Sequence, residues 1–476
     1  MHSQAMFFRA RADERVDNPV LQRALAKAKP LFVGKRAKGI EGLADDGMEF
    51  EALRQAAAAI RNRVVDDLDV WLEIFEERAR ATGAEVLWAR DGKEICQLVI
   101  DVARRHGVTK AVKSKSMLSE EASLNEALAG AGIRPVETDL GEYIVQLAGE
   151  APSHIIAPAV HKTLAEVEAL FACHHGRSPQ PRTAADIPAL AGEARQVLRQ
   201  HFLSAEMGIS GANFLIAETG SAALVTNEGN GRMVTSLPKV HVVITGIEKI
   251  VPTLEDFATL MRLLPRSATG QTISNYVSLL TGTRRPGEAE GAEKTVYILV
   301  DNGRAGLLGS PWQDMLRCIR CGACMNHCPV YTRIGGHAYG TTYPGPIGKI
   351  ISPHMLGLEA TATMATASSL CGACGEVCPV KIPIPDLLVR LREESFSAPH
   401  ANPAMRGQGA GYSRLMTTVW RGWATVYGSP SLYGLATWLG SRFRWLVPSD
   451  QGPWTTVRVP LKPAPKRLRD MLRERS

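Results

Sequence analysis

Seven of the nine cysteines lie between Cys318 and Cys378, and their spacing constrains this chain more than any other feature. The first run, Cys318-Ile-Arg-Cys321-Gly-Ala-Cys324-Met-Asn-His-Cys328-Pro329, reads C-x2-C-x2-C-x3-C-P. Fifty positions on, Ser368-Ser-Leu-Cys371-Gly-Ala-Cys374-Gly-Glu-Val-Cys378-Pro379 repeats it, with Cys-Gly-Ala-Cys-x3-Cys-Pro-Val kept letter for letter. The first run is the bacterial iron–sulfur ligation pattern. Three thiolates spaced by two residues line one tight loop. The fourth, just before a helix-breaking proline, points away and in two-cluster proteins ligates the other cluster. The spacing therefore predicts crossed sets. Cys318, Cys321, Cys324 and Cys378 would hold cluster 1, and Cys328, Cys371 and Cys374 would hold cluster 2. Where a fourth thiolate for cluster 2 belongs, the chain has Ser368. Cluster 1 is thus expected to be [4Fe-4S], and cluster 2 either [4Fe-4S] with one labile iron or [3Fe-4S]. A single tetrahedral zinc suits this run poorly, and disulfides do not suit a chain with no sign of export.

With 476 residues the chain is long enough for two or three domains with their own cores. The N-terminus lacks an apolar signal region, and no uncharged apolar run approaches the roughly 18 residues of a membrane span. A cytoplasmic protein without a transmembrane span is expected. The formal charge of +7 is not evenly spread, since residues 401–476 carry twelve Lys and Arg against three Asp and Glu. The basicity belongs to the tail, which argues against a nucleic-acid-binding protein.

Residues 1–80 read as helical, with apolar positions recurring at three and four, and are expected to pack on the domain that follows. Residues 81–306 read as an α/β domain. Strands are predicted at Glu85-Val-Leu-Trp-Ala, Lys110-Ala-Val-Lys-Ser-Lys and Arg134-Pro-Val-Glu-Thr-Asp, alternating with helices at 91–106 and at 119–131 capped by Ser119. A long helix is expected from about 184 to 204, then strands at 213–217, 222–226, 239–245 and 295–300. The Glu218-Thr-Gly-Ser and Asn227-Glu-Gly-Asn-Gly links suit turns of positive φ. Residues 307–400 should form a helical ferredoxin-type domain. The segment 401–476 is basic and holds Trp420, Trp423, Trp438, Trp445 and Trp454, five of the eight tryptophans. These rings suit an anionic membrane surface, a partner's acidic face, or the protein's own core.

Several stretches resemble the lactate utilisation protein B family. They are Lys113-Ser-Lys-Ser-Met-Leu-Ser-Glu-Glu121, Glu137-Thr-Asp-Leu-Gly-Glu142, Pro152-Ser-His-Ile-Ile-Ala-Pro158 and Glu218-Thr-Gly-Ser-Ala-Ala-Leu-Val-Thr-Asn-Glu-Gly-Asn-Gly231. The seven-cysteine pattern, its missing first cysteine and the Trp-rich tail follow in the family's order. The resemblance implies a LUD domain with the α/β fold of CoA transferases and ribose-5-phosphate isomerase. It also implies an iron–sulfur electron-transfer subunit of an L-lactate-to-pyruvate system, working with two co-encoded lactate-utilisation subunits. An electron acceptor at the membrane, in the quinone chain, would seat the protein peripherally on the inner face.

Other candidate residues carry weaker signals. Lys113, Ser114, Lys115 and Ser116 form a basic, hydroxyl-rich loop suited to an anion or to a plain solvated turn. Glu218 or Glu228 would be a nucleophile by analogy with CoA transferases. His154 and His161, and the lone Cys96 and Cys173, read as packing or surface residues. No dinucleotide fingerprint or P-loop occurs, and Gly407-Gln-Gly-Ala-Gly has the wrong spacing and context. No catalytic residue is therefore assigned. The leading expectation is an electron carrier. The alternatives are a LUD-domain enzyme for a carboxylic acid or its CoA ester, a carrier for another 2-hydroxy acid dehydrogenase, and a scaffold stabilised by its clusters.

Overall fold

Runs such as Val-His-Val-Val-Ile-Thr and Thr-Val-Tyr-Ile-Leu-Val are apolar on both faces, so as strands they require cover on both sides. The computed structural model, which describes residues 4–175, 186–397, 414–452, 455 and 459–474, supplies that cover. Ten strands occur among the described residues: β1 Glu85–Ala89, β2 Lys110–Lys113, β3 Arg134–Glu137, β4 Met207–Ser210, β5 Phe214–Ile216, β6 Ser221–Thr226, β7 Val240–Gly246, β8 Ile250–Val251, β9 Tyr276–Leu280 and β10 Lys294–Val300. Six form a wholly parallel sheet in the order β1-β10-β7-β4-β2-β3. Val296, Ile298 and Val300 of β10 pack on one face with Val99 and Val102. Tyr297 and Leu299 pack on the other with Leu72 and Phe75. The remaining four strands form a smaller mixed sheet in the order β8-β5-β6-β9.

The predicted α/β alternation is present, with local differences that have physical causes. The stretch 119–131 is two helices, Met117–Glu121 and Leu124–Gly130. Ser116, not Ser119, caps the first by accepting the Ser119 N–H, and Ser123 breaks the run at φ 55°. Gly220 has the positive φ expected of its turn, at 63°. The Asn227–Gly231 link does not. Gly229 has φ −71°, and Asn230–Ser236 is a helix. Glycine is needed at 231 for close packing instead, since a Cβ there would lie 2.9 Å from Thr226 Cγ2. The sequence reading missed β4, which depends on Gly208 letting the Val234 carbonyl approach.

From 307 to 397 the described chain is short helices and turns without a strand. It shares one core with the N-terminal helices and the smaller sheet, including Phe8, Ile60, Phe214, Leu260, Met315 and Leu391. The chain divides into two compact units, residues 1–404 and 405–476. In the second, Arg414–Gly428 and Pro430–Arg442 are helices. Trp420, Trp423, Trp438 and Trp445 are all exposed rather than buried in a core. Trp423 stacks on Tyr427 at 4.3 Å. Trp454 and the Gly407 run lie outside the described residues. No described helix is long and apolar enough to cross a membrane.

Arg61, on the helix Phe50–Asp66, joins the layers of the first unit. It is almost fully buried, and donates to the carbonyls of Ile250 at 2.7 Å and Leu316 at 3.0 Å, and to that of Glu248. Arg61→Met keeps the bulk but strands three buried carbonyls. A loss of about 3 kcal/mol in chemical denaturation is expected, with a native-like circular dichroism spectrum.

Candidate metal centre and adjoining cleft

The two cysteine runs fold alike because they place the same residues in the same unusual backbone conformations. Arg320 and Leu370 occupy equivalent positions and both lie in the left-handed region, at φ 59° and 54°. Gly322 and Gly372 follow at 73° and 85°. In the first loop the Arg320 N–H turns back onto Cys318 Sγ at 3.4 Å. In the second the Leu370 N–H turns back onto Ser368 Oγ at 3.2 Å. The serine oxygen thus occupies the place in the loop that a cysteine sulfur occupies in the other repeat. Short helices, Ala323–Asn326 and Ala373–Glu376, complete each turn.

Cys318, Cys321, Cys324 and Cys378 line a single buried cavity, so the second run contributes its last cysteine to the first run's loop. Burial, with Cys378 and Cys318 nearby, pushes the Cys321 thiol up to about 12, and burial drives Cys324 well above its ordinary value too. Four crowded thiolates are untenable in that environment unless a cation neutralises them. Cys374 is raised to about 11 by burial and by Cys328, the last cysteine of the other run. Cys371 differs. It is exposed, and the Ala373 N–H and Ser369 hydroxyl lower its pKa.

Lys349 is fully buried and donates to the Ala367 carbonyl. Burial lowers its pKa, while Cys328, Cys374 and Cys324 act to raise it. A buried ammonium with no carboxylate partner among the described residues requires other negative charge, and thiolate-held clusters would supply it. Arginines also grip the loops from outside. Arg36 donates to Val377 O at 3.0 Å, Arg54 to Cys378 O at 3.0 Å and Arg392 to Ser368 O at 2.6 Å. The donor set and its compensating cations fit iron–sulfur clusters.

A cleft of about 330 Å³ adjoins the first loop. It opens at the carboxyl ends of the parallel strands, where α/β sheets bind ligands. Its lining includes Ser114 and Lys115 after β2, Asp139 after β3, Thr245 and Lys249 at and beyond the end of β7, and Arg304 after β10. Ile155 and Arg320 line both the cleft and the cysteine cavity. Beneath lies an ionic clamp. Glu248 Oε2 is 2.8 Å from Arg304 Nε, although not aligned for a hydrogen bond, and Glu248 Oε1 is 3.4 Å from Arg320. Arg304 also meets Glu121 at 2.9 Å. Burial alone would raise Glu248, but Arg304 and Arg320 pull it down to about 2. Burial lowers Lys249 to about 7, with Arg320 acting the same way.

The other candidates separate cleanly. Lys113 is not in the cleft: it is buried against Glu137 at 2.6 Å and Asn125 at 2.7 Å. Lys115, Ser114 and Ser116 do line the cleft, as does Glu228. Glu218 instead accepts the Leu254 N–H at 2.9 Å and serves the start of that helix. His154 is a buried packing residue bonded to Asn326, with its pKa brought down to about 4 by burial. His161 meets Ser153 at 2.6 Å and Glu150 at 2.8 Å. Cys96 is half-buried and Cys173 exposed. Sequence reasoning missed Glu248, Lys249, Arg304, Arg320 and Lys349. Only Arg320 carried a local signal, as a basic residue inside a C-x2-C loop.

These features define an iron–sulfur protein in which two cysteine sets are built against a parallel α/β domain. Residues 314–382 match the 4Fe-4S dicluster domain, 72–300 the LUD domain, and 390–476 the C-terminal domain of lactate utilisation protein B. The chain belongs to the lactate utilisation protein B family. It is 39% identical to lactate utilization protein B of Bacillus licheniformis over 98% of this chain and 96% of that one. The Bacillus velezensis protein of the same name is 40% identical over 98% and 97%. An uncharacterized electron transport protein of Escherichia coli, YkgF, is 43% identical over 81% and 79%. A solved DUF162-family structure from Deinococcus radiodurans aligns at a TM-score of 0.27 and 12% identity, covering 49% of this chain and 98% of that one.

Glu120 lies 3.9 Å from Lys113. Burial lifts its pKa to about 7, and Lys113 offsets only part of that. A carboxyl raised in the folded state stabilises fully below its unfolded pKa, and that stability is lost as pH rises through about 7. Glu120→Gln should therefore be more stabilising at pH 8 than at pH 5, by up to roughly 3 kcal/mol, in denaturant melts across that window.

Proposed function

We propose that this protein is an iron–sulfur electron carrier in a lactate-utilising system, and that lactate is oxidised on a partner subunit. Four observations support the reading: the crossed grouping of the cysteines, the buried cations around them, the dicluster match, and the names of the full-length relatives. The observation that carries it is the first. Cys378 joins Cys318, Cys321 and Cys324 around one cavity, while Cys328 acts on Cys374 of the other set.

In this reading Cys318, Cys321, Cys324 and Cys378 hold cluster 1, a [4Fe-4S] centre. Cys328, Cys371 and Cys374 hold cluster 2, with Ser368 Oγ facing the remaining position. Bound clusters supply reversible one-electron chemistry. The chain's own residues then do four things. The cysteine loops fix the centres close together, because each run ligates both. Arg36, Arg54 and Arg392 hold the loop carbonyls and so keep the loops rigid. Lys349, near sulfurs of both sets, favours added negative charge on either. The exposed aromatic hairpin, 414–442, offers a surface for the co-encoded subunits.

The test is anaerobic purification of the full chain, with iron and sulfide counting, EPR and a lactate assay. Two clusters, reversible signals and no lactate oxidation without the partner subunits are expected. Lactate turnover by the single chain would overturn the reading. Ser368→Cys supplies a fourth thiolate and should lower the potential of cluster 2 by on the order of 100 mV, leaving cluster 1 unchanged. A redox titration that shows no shift contradicts the ligand assignment.

A further inference from the structure

The cleft holds more positive charge than its own carboxylates use. Lys115 and Lys249 line it, and neither has an ion-pair partner among the described residues. Arg320 pairs with Glu248 through Nη2, but its Nη1 is buried without a partner. Two hydroxyls repeat the pattern. Ser114 and Thr245 are each 2% exposed, line the cleft, and leave their Oγ atoms unbonded. Buried donors without acceptors are unfavourable unless something else accepts from them. The acids of the cleft have partners of their own, although Asp139 and Glu228 lie near enough to Lys115 to favour its charge. Asp139 accepts the Glu142 N–H at 3.2 Å, Glu228 accepts the Leu140 N–H at 3.4 Å, and Glu248 is clamped by two arginines. No carboxylate of the cleft forms an ion pair with Lys115 or Lys249 among the described residues, and none accepts from Arg320 Nη1, Ser114 or Thr245.

We propose that this cleft is a binding site for an organic oxyanion, a carboxylate or a phosphate, whose charged end is held by Lys249 and Lys115 with the Ser114 and Thr245 hydroxyls. Its volume, about 330 Å³, is that of a small-molecule site and exceeds what a bare ion fills. The apolar part of the ligand then lies against Ile155 and Leu224. The position gives the site its meaning. Arg320 separates the cleft from the cysteine cavity and takes the Cys318 sulfur onto its own N–H. A ligand that approaches Arg320 changes the field at that sulfur. The inference does not depend on the lactate reading, since it concerns binding alone.

The test uses the iron-replete full chain under anaerobic conditions. Oxalate and inorganic phosphate are titrated separately by calorimetry, and the cluster 1 EPR spectrum is recorded with each. One probe at least is expected to bind at a single site and to shift that spectrum. Oxalate alone identifies a carboxylate ligand, and phosphate alone a phosphorylated one. Lys249→Met and Lys115→Met should each weaken binding about tenfold or more, the worth of a charged hydrogen bond. Thr245→Val, nearly isosteric, should weaken it by a smaller factor, and decides the matter if a lysine variant loses iron. Absence of binding by both probes overturns the proposal, as does binding that all three variants leave intact.

Discussion

Glu248 is a carboxylate that this fold must neutralise. It sits just past β7, 2% exposed, and a lone charge there would cost several kcal/mol. Arg304 meets it from beyond β10 and Arg320 from the first cysteine loop, while Arg61 of the N-terminal helices takes its backbone carbonyl. Three separate parts of the chain therefore have to arrive together. A glycine precedes the turn for the same reason: a Cβ on Gly246 would lie 2.0 Å from the Glu248 carboxylate and 2.8 Å from Arg304. The clamp contributes little net stability as a buried ion pair, but breaking any arm strands a buried charge. It therefore specifies where the cysteine loop rests on the sheet.

That seat explains why the N-terminal helices belong as much to the cysteine region as to the α/β domain. Arg36 and Arg54 reach the carbonyls of Val377 and Cys378, and Arg61 reaches Leu316 just ahead of Cys318. Each loop carbonyl held by a guanidinium is one that does not need water. These carbonyls beside the first cysteine set are therefore buried with partners. The second set lacks such cover at Cys371, which stays exposed.

How much of this was legible in the sequence depends on distance along the chain. The cysteine repeat and the doubly apolar strands are local patterns, and both lead to the architecture observed. The short strands β4, β8 and β9 are not local patterns. They exist because neighbours pack on them, as Val234 does on Gly208. The Lys113–Ser116 loop shows the limit most clearly. Read as one basic group, it is divided by the end of β2, whose last residue is Lys113. Lys113 turns into the core toward Glu137, and Lys115 into the cleft. Lys249, Arg304 and Arg320 come from distant segments, and no periodicity could have joined them. Ser368 was legible as a departure from the repeat. Only the Leu370 N–H on its Oγ shows that the departure preserves the loop.

The same asymmetry gives the proposed electron path a direction. The cleft touches the first cysteine set through Arg320 and Ile155, and that set is buried throughout. The second set is tied to the first by two short helices, which carry Cys324 and Cys374 and end just before Cys328 and Cys378, and it reaches the surface at Cys371. In the proposed assignment the second centre has three thiolates and so less negative charge than the first, which would raise its potential and make it the downhill end of the pair. Charge and exposure thus agree. On this proposal a ligand in the cleft would act on the buried set, while a redox partner would approach the second set at Cys371, its exposed member. Reversing the serine and the cysteine between the two repeats would set these two gradients against each other. It would also put a serine hydroxyl beside Arg320, which now faces the Cys318 sulfur as its counter-charge.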